Sequence, residues 1–288
     1  MIDLSSESND RIADWIEVLS ASQPGRPFSI QRIQDVSESF ANLSPHQIPY
    51  ALRLIHKRSE ILGASYPFQV DESFIVTRKS VLDSVYLQLL FLTPGSGLAS
   101  ASRVWNLEIA SKLFEDIAEN SLNNFFGFNT HAVNFGFPSR SGRPAEFASA
   151  IEWLSKKTNI RLGSAYRPPR KKDGGVDLFV WKSFSDGRPG IPVMLVQCTI
   201  KDDFINKIGD IDIKLWSSWL SSDIEPLVAL AVPGMVTKDE VWSEITTRGI
   251  LLDRTRLVES CTDTPSSEKL ENLSYLVNLV NEIEELVH

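Results

Sequence analysis

Two polar residues interrupt neighbouring apolar segments in the second half of this chain of 288 residues. Asp177 follows the glycines of Asp173-Gly-Gly, and Gln197 lies near the end of the apolar segment 191–199. Residues 183–190 between them contain Asp-Gly and Pro-Gly, which predict a turn and therefore a hairpin. In that hairpin Asp177 and Gln197 come side by side, and their carboxylate and amide oxygens suit a hard cation such as Mg²⁺.

The segments around this pair predict the elements that position it. Strand patterns occur at residues 160–166, 175–182, 191–199, 226–232 and 249–253, and helical patterns at residues 145–157, 203–220, 238–248 and 266–287. Three strands in a row, followed by alternating helices and strands, indicate a mixed sheet that is flanked by helices.

The first half of the chain predicts helices that carry no chemical motif. Helical spacing of apolar residues occurs at residues 10–19, 47–62, 80–92 and 105–126. The segment 137–144, rich in Pro, Ser, Gly and Arg, breaks this pattern and marks a domain boundary. We therefore expect the α/β class (α+β overall), with a mostly helical recognition or interaction domain at residues 1–137 and the sheet domain at residues 138–288.

The charge distribution favours a focused anionic ligand over general binding to nucleic acid. The formal net charge is −8, which argues against a protein that coats DNA electrostatically. Nine basic and three acidic residues nevertheless lie within residues 138–175. The densest basic cluster there, which either clamps phosphate or is an ordinary solvated loop, consists of Arg167, Arg170, Lys171 and Lys172.

The composition excludes several other classes of protein. Two cysteines and four scattered histidines indicate neither a disulfide scaffold nor a dedicated zinc site. No apolar run is long enough to span a bilayer, and the polar, acidic start lacks the pattern of a signal peptide. We therefore expect no membrane partner and a cytoplasmic location. The glycine-rich motifs that bind nucleotide phosphates do not occur in the sequence.

The sequence Asp173-Gly-Gly-Val-Asp177, the hairpin and Val196-Gln-Cys198 together resemble the core of the PD-(D/E)xK nuclease superfamily. The similarity is most evident for Mrr-type restriction endonucleases, in which a Gly-Gly-x-Asp strand precedes a Gln-x-Lys strand. It covers about residues 144–233 and includes the order helix, three strands, helix, strand. The resemblance implies a restriction-endonuclease-like fold for the second domain and leaves the first domain unexplained.

The resemblance also implies roles for individual residues. Asp177 and Gln197 match the metal-binding positions on the two strands, and Glu146 best matches an acidic residue on the preceding helix, with Glu152 as the alternative. These groups would hold one or two Mg²⁺ or Mn²⁺ ions. The family's catalytic lysine is expected at position 199, where this chain has Thr199.

Two lysines are candidates to replace the missing one. Lys207 lies on the predicted helix 203–220 and would reach inward over the strand ends. Lys201 shares the parity of Gln197 and points to the same side if the strand continues. We favour Lys207 over Lys201, and a site that has lost its catalytic lysine is the third alternative.

By resemblance, the expected function is that of a metal-dependent endonuclease that hydrolyses phosphodiester bonds of DNA, as in bacterial restriction or phage defence. A homodimer and a separate ATPase or sensor subunit are the further partners that such an effector would have. The alternative is a catalytically degenerate subunit that keeps the fold and acts as a structural or nucleic-acid-binding partner. The substitution of Thr199 for lysine favours this alternative.

Overall fold

The computed structural model describes residues 4, 7–40, 43–44, 46–94, 101–140, 142–164, 166–169, 171–261 and 273–287. Within them the α-helices are α1 (Asn9–Ser22), α2 (Ile30–Phe40), α3 (Gln47–Leu62), α4 (Val85–Phe91), α5 (Leu107–Leu122), α6 (Phe147–Thr158), α7 (Ile213–Trp219), α8 (Asp239–Thr246), α9 (Arg254–Ser260) and α10 (Leu273–Val287). The strands are β1 (Phe28–Ser29), β2 (Phe68–Val70), β3 (Phe74–Thr77), β4 (Thr130–Asn134), β5 (Arg161–Leu162), β6 (Leu178–Lys182), β7 (Val193–Cys198), β8 (Leu220–Ser221), β9 (Leu227–Ala231) and β10 (Ile250–Leu252). The fold is mixed α/β, as the sequence predicts.

The chain forms two compact units whose limits differ from the predicted boundary at residue 137. The first unit contains Met1–Leu113, Pro233–Thr237 and Asp263–His288, and the second contains Phe114–Val232 and Lys238–Thr262. The difference arises because β4, which precedes the predicted boundary, pairs with β6 along its whole length. The closing helix α10 belongs to the first unit.

The second unit is built on a five-stranded sheet in the order β10-β9-β7-β6-β4. Strand β6 is antiparallel to both β4 and β7, whereas β7, β9 and β10 are parallel to one another. Strands β6 and β7 are buried almost throughout because their apolar side chains are covered on both faces. The predicted strand 160–166 is only two residues long and pairs with β8 outside this sheet.

Close packing on tryptophans fixes the loop that leads into β6. Gly174 and Gly175 have φ angles of +66° and +79°, and a Cβ at Gly175 would lie 2.3 Å from the Asp210 carbonyl oxygen. Trp216 and Trp219 donate from their indole nitrogens to the carbonyls of Gly174 and Arg167, at 3.1 and 2.7 Å. The Gly-Gly pair is thus required by backbone conformation and by space.

The predicted helix 203–220 is divided into two elements. A 3₁₀ helix spans Ile205–Asp210, and α7 begins after Asp212, whose carboxylate accepts a hydrogen bond from the backbone of Leu215 at 3.1 Å. Asp212 therefore acts as an N-cap that restarts the helix, and Lys207 lies on the 3₁₀ helix.

The first unit contains a buried network of charges between α1 and α3. Arg58 contacts Asp14 at 2.8 Å and Glu17 at 2.9 Å, and Tyr66 and Tyr86 donate to Glu17 at 2.5 and 2.8 Å. Burial lowers the pKa of Arg58, but the negative charges of Glu17 and its neighbours raise it further, so the guanidinium stays charged. No helix within the described residues is long and apolar enough to cross a membrane.

Candidate metal centre

Asp177 lies directly before β6 and its backbone joins three strands. Its N–H donates to the carbonyl of Val196 at 2.9 Å, and its own carbonyl accepts from Phe135 at 2.7 Å and Gly136 at 3.1 Å. The position of its α-carbon is therefore fixed from β7 on one side and from the end of β4 on the other.

The carboxylate of Asp177 is held by groups of β7. Its Oδ2 accepts a hydrogen bond from the backbone N–H of Cys198 at 2.7 Å and another from the side-chain amide of Gln197. Asp177 and Gln197 are thus neighbours, as the hairpin predicts. Because both bonds are made by Oδ2, they orient Asp177 without involving Oδ1.

A second carboxylate acts on Asp177 from α5. The pKa of Asp177 is raised to about 8, first by burial and second by the negative charge of Glu115, while the N–H of Cys198 opposes the shift. Glu115 accepts from the side-chain amide of Asn134 at 3.0 Å and pairs with Arg140, which also contacts Asp116 at 3.0 Å. A second carboxylate whose negative charge acts on a partly buried one favours binding of a cation there.

A space between oxygen atoms lies at Gly136. A Cβ there would lie 3.4 Å from Oδ1 of Asp177 and 3.7 Å from Oδ1 of Asn134. Asn134 is 1% exposed, and its Oδ1 has no hydrogen-bond partner among the described residues, although a buried amide oxygen normally has one. Both oxygens therefore face the volume that the glycine leaves open.

The donors around this space are oxygens of the kind that Mg²⁺ and Mn²⁺ prefer. The two oxygens at the space come from Asp177 and Asn134. Glu115 bonds Asn134 and Gln197 bonds Asp177, so a second carboxylate and a second amide lie one contact away. No group of three or more His, Cys, Asp or Glu residues in the described part of the chain could hold a metal ion. A cation here would accordingly depend on the amides as well as on the carboxylates, and on water for its remaining positions.

The structure places the predicted helical acids elsewhere. Glu146 caps α6, where its carboxylate accepts from the backbone of Ser149 at 2.8 Å, and this bond lowers the pKa of Glu146. Glu152 is exposed on the same helix. Glu115 was missed because it lies on α5, far before Asp177 in the sequence. The signal that could have found it is the acidic pair Glu115 and Glu119, one helical turn apart on an amphipathic helix.

Neither predicted lysine is joined to Asp177 by the described contacts. Strand β7 ends at Cys198, so Lys201 does not continue it and is exposed, while Thr199 is buried. Lys207 pairs with Asp210 at 3.7 Å. The condition under which Lys201 would point to the same side as Gln197 is therefore not met.

The predicted basic cluster is only partly described. Lys171 pairs with Asp210 at 2.5 Å, and Lys172 places its ammonium 4.4 Å from the centre of the Phe137 ring. Arg167 is exposed, and Arg170 lies outside the described residues. Because Lys171 lowers the pKa of Asp177, its charge acts on the candidate centre as well.

No protein-family model, no curated protein and no solved structure matches the chain.

Proposed function

We propose that this chain is a metal-dependent endonuclease that hydrolyses phosphodiester bonds of DNA at the Asp177 centre. The observation that carries the proposal is the pair of oxygens from Asp177 and Asn134 at Gly136, the second of them without a partner among the described residues, with the charge of Glu115 acting on Asp177. Bacterial restriction or phage defence, with a separate ATPase or sensor subunit, is the setting that the family resemblance implies. Mg²⁺ or Mn²⁺ is the cofactor in this proposal.

The order of elements supports the proposal. Helix α5, strands β4, β6 and β7, helix α7 and strand β9 follow the order helix, three strands, helix, strand that the resemblance implies, with α6 and β5 inserted after β4 and the short β8 after α7. In this alignment Glu115 takes the role of the helical acid that sequence reasoning gave to Glu146. In this proposal Asp177 keeps the metal-binding role that the sequence assigned to it, while Gln197 orients Asp177 through its amide nitrogen.

Different residues of the chain would have different roles in such a centre. A bound divalent cation would lower the pKa of water and offset charge on the phosphate. Gln197 and the N–H of Cys198 fix one oxygen of Asp177, so the other stays directed at the space beside Gly136. Arg140 and Asn134 hold Glu115 in place, and Lys171 adds positive charge near the entering phosphate.

The test is cleavage of supercoiled plasmid in Mg²⁺ or Mn²⁺ by the wild type, Asp177→Asn and Glu115→Gln. Each variant is expected to lose at least about 100-fold in rate, since even partners behind the ligands of a metal cost 10 to 100-fold when they are changed. Glu152→Gln is the matched control, because it removes an exposed carboxylate of the same unit, and it should cleave like the wild type. Equal cleavage by Asp177→Asn would refute the assignment.

A catalytically degenerate nucleic-acid-binding subunit is the second candidate. Thr199, buried at the position expected for lysine, favours it, as do the exposed Lys201 and the pairing of Lys207 with Asp210. The discriminating variant is Thr199→Lys, in which the stem of the lysine crosses the buried layer and its ammonium reaches solvent. Cleavage that appears only in Thr199→Lys supports the degenerate subunit, whereas cleavage by the wild type excludes it.

A further inference from the structure

A cavity of about 510 Å³ lies next to the candidate metal centre in the second unit. Its walls include Phe137, Glu146, Phe147, Tyr166 and Lys172. Phe137 is 40% exposed and Tyr166 is 54% exposed, although large aromatic side chains are usually well buried. Exposed rings that line one concave surface are a feature of sites that bind flat ligands.

The polar groups of this cavity suit a nucleotide. The ammonium of Lys172 stands over the Phe137 ring, and Arg167 is exposed next to Tyr166 in the sequence, so two cations are available for a phosphate. The carboxylate of Glu146 is fully exposed and ionised at the cavity wall, where it can accept a hydrogen bond from the edge of a base. Aromatic faces with nearby cations are the means by which proteins hold single-stranded nucleic acid.

A buried arginine ties this cavity to the Asp177 centre. Arg143, which is 3% exposed, donates to the carbonyls of Pro144 at 3.0 Å and Lys172 at 2.9 Å, and its guanidinium lies 4.4 Å from the centre of the Phe135 ring. Phe135 in turn donates from its backbone to the carbonyl of Asp177. Through Arg143, the backbone of Lys172 in the cavity wall is therefore fixed relative to Phe135 and to the backbone of Asp177.

The chain path also brings the cavity and the centre together. Phe137 directly follows Gly136, whose α-carbon faces Oδ1 of Asp177. Consecutive α-carbons are about 3.8 Å apart, so the α-carbon of Phe137 lies that far from the α-carbon of Gly136, beside the space proposed for the cation. A ligand that spans both places must have a phosphate at one end and a flat group close to it.

We propose that the cavity binds one unpaired base of single-stranded DNA whose phosphate lies at the candidate metal centre. The inference deepens the proposed function and rests on it for the position of the phosphate. A base inside a duplex is already stacked on both faces and cannot enter a cavity without being extruded, which costs free energy. The preferred substrate is therefore a single strand, or a junction that exposes one, and intact duplex is bound less well.

Binding without cleavage tests the inference apart from catalysis. Fluorescence anisotropy in metal-free buffer at low salt would compare a labelled DNA single strand of 15 nucleotides with its duplex. Low salt is needed because phosphate contacts weaken steeply as salt rises, and more so for a chain of net charge −8. The variants are Phe137→Ala, Tyr166→Ala and Lys172→Ala. Phe128→Ala is the matched control, because Phe128 is 84% exposed in the same unit and does not line the cavity.

We expect the wild type to bind the single strand at least tenfold more tightly than the duplex. Each aromatic variant should lose about tenfold in affinity for the single strand, since stacking of one base contributes about that much or more. Lys172→Ala should lose less, and Phe128→Ala should bind like the wild type. Equal affinity for both forms of DNA, or unchanged binding by both aromatic variants, would overturn the inference, as would no binding at all.

The plasmid assay separates this failure from failure of the proposed function. Metal-dependent cleavage that requires Asp177, together with unchanged binding by Phe137→Ala and Tyr166→Ala, leaves the nuclease standing and removes the base site. Loss of single-strand binding in the aromatic variants, with no cleavage of the plasmid or of the labelled single strand by any form in Mg²⁺ or Mn²⁺, supports the base site and counts against catalysis.

Discussion

The two units each bring carboxylates together below the surface, but they treat them differently. In the first unit, Glu17 is fully buried. Its carboxylate pairs with the guanidinium of Arg58 and accepts hydrogen bonds from the hydroxyls of Tyr66 and Tyr86. In the second unit, Asp177 and Glu115 remain partly accessible, and Asn134 keeps an unpaired oxygen beside them. In the first network Arg58 contacts both Asp14 and Glu17, whereas no cation contacts the Asp177 carboxylate among the described residues, so the second has a place for one more positive group.

The two networks show which features distinguish a structural cluster of charges from a binding site. Burial and charge occur in both places, so neither of them identifies function. What distinguishes the Asp177 centre is a carboxylate that no cation contacts in the described part of the chain, next to the unpartnered oxygen of Asn134 and the space at Gly136. An unpartnered atom alone does not do so, since Oδ1 of Asp10 beside Arg58 also lacks a hydrogen bond. Variants in both units test whether the two networks differ in this way.

The largest effect is expected for Arg58→Met in the first unit. This change removes the cation that neutralises Asp14 and Glu17 and leaves two buried carboxylates uncompensated. Such a loss destabilises a protein by about 3–5 kcal/mol. Urea unfolding followed by fluorescence would measure it, with Arg53→Met as control, since Arg53 is exposed on the same helix. A loss below 1 kcal/mol would mean that the network is not structural.

Glu115→Gln should weaken binding of Mn²⁺ to the second unit by about 10 to 100-fold. The amide keeps the shape of the side chain but removes one of the two carboxylates of the proposed centre. Titration calorimetry in Mn²⁺ would measure the affinity, beside Glu146→Gln as the control for a helix-capping carboxylate. The same affinity in Glu115→Gln and wild type would remove Glu115 from the centre.

The free energy of unfolding should depend on pH through the carboxyl group of Asp177. The pKa of Asp177 in the folded chain is about 8 against an ordinary 3.8, so between these values the native state holds a proton that the unfolded chain has released. Stability of metal-free protein should therefore fall as pH rises from about 4 to about 8. Asp177→Asn cannot ionise and should be about 1–2 kcal/mol more stable than the wild type at pH 8, a size typical of single substitutions.

Near pH 4 the wild type and Asp177→Asn should unfold at the same urea concentration, because Asp177 is then protonated in the folded chain. Parallel curves with a constant offset at every pH would show that Asp177 is ionised throughout. Added Mg²⁺ should reverse the trend for the wild type alone, since a cation favours the charged carboxylate.

The smallest effect is expected for Lys171→Ala. Its ion pair with Asp210 is shorter than the pairs of Arg58, but the Lys171 side chain is 49% exposed. Exposed ion pairs contribute about 0–1 kcal/mol because water screens them and both side chains lose freedom. Urea unfolding should show a change below 1 kcal/mol. A loss as large as that of Arg58→Met would contradict the contrast between exposed and buried pairs.

Much of the sheet was predictable from sequence because its strands are short apolar segments between turn residues. The structure confirms strands within residues 175–182, 191–199, 226–232 and 249–253. Strand β4 was not predicted, because Thr130–Asn134 alternates weakly and lies in a region that otherwise reads as helical. The helix α3 has the predicted limits, 47–62.

The part of the candidate site that lies at β6 and β7 was predictable from sequence, and the part on α5 and β4 was not. Asp177 and Gln197 are close in sequence, and a turn between them fixes which strands meet. Glu115 and Asn134 reach the same place only through the pairing of β4 with β6 at the edge of the sheet. Sequence periodicity reports which face of an element is buried, but it does not report which distant element covers it, so the nearer Glu146 was chosen.

Gly136 offers a way to silence the proposed centre with one methyl group. Its backbone is not in a conformation reserved for glycine, and an alanine Cβ would make ordinary contacts at 3.4 and 3.7 Å. Gly136→Ala would therefore keep every ligand, charge and hydrogen bond in place while filling the room for a cation. Any activity of the proposed centre would then depend on the absence of a side chain at position 136, and its loss would leave almost no trace in composition, charge or stability.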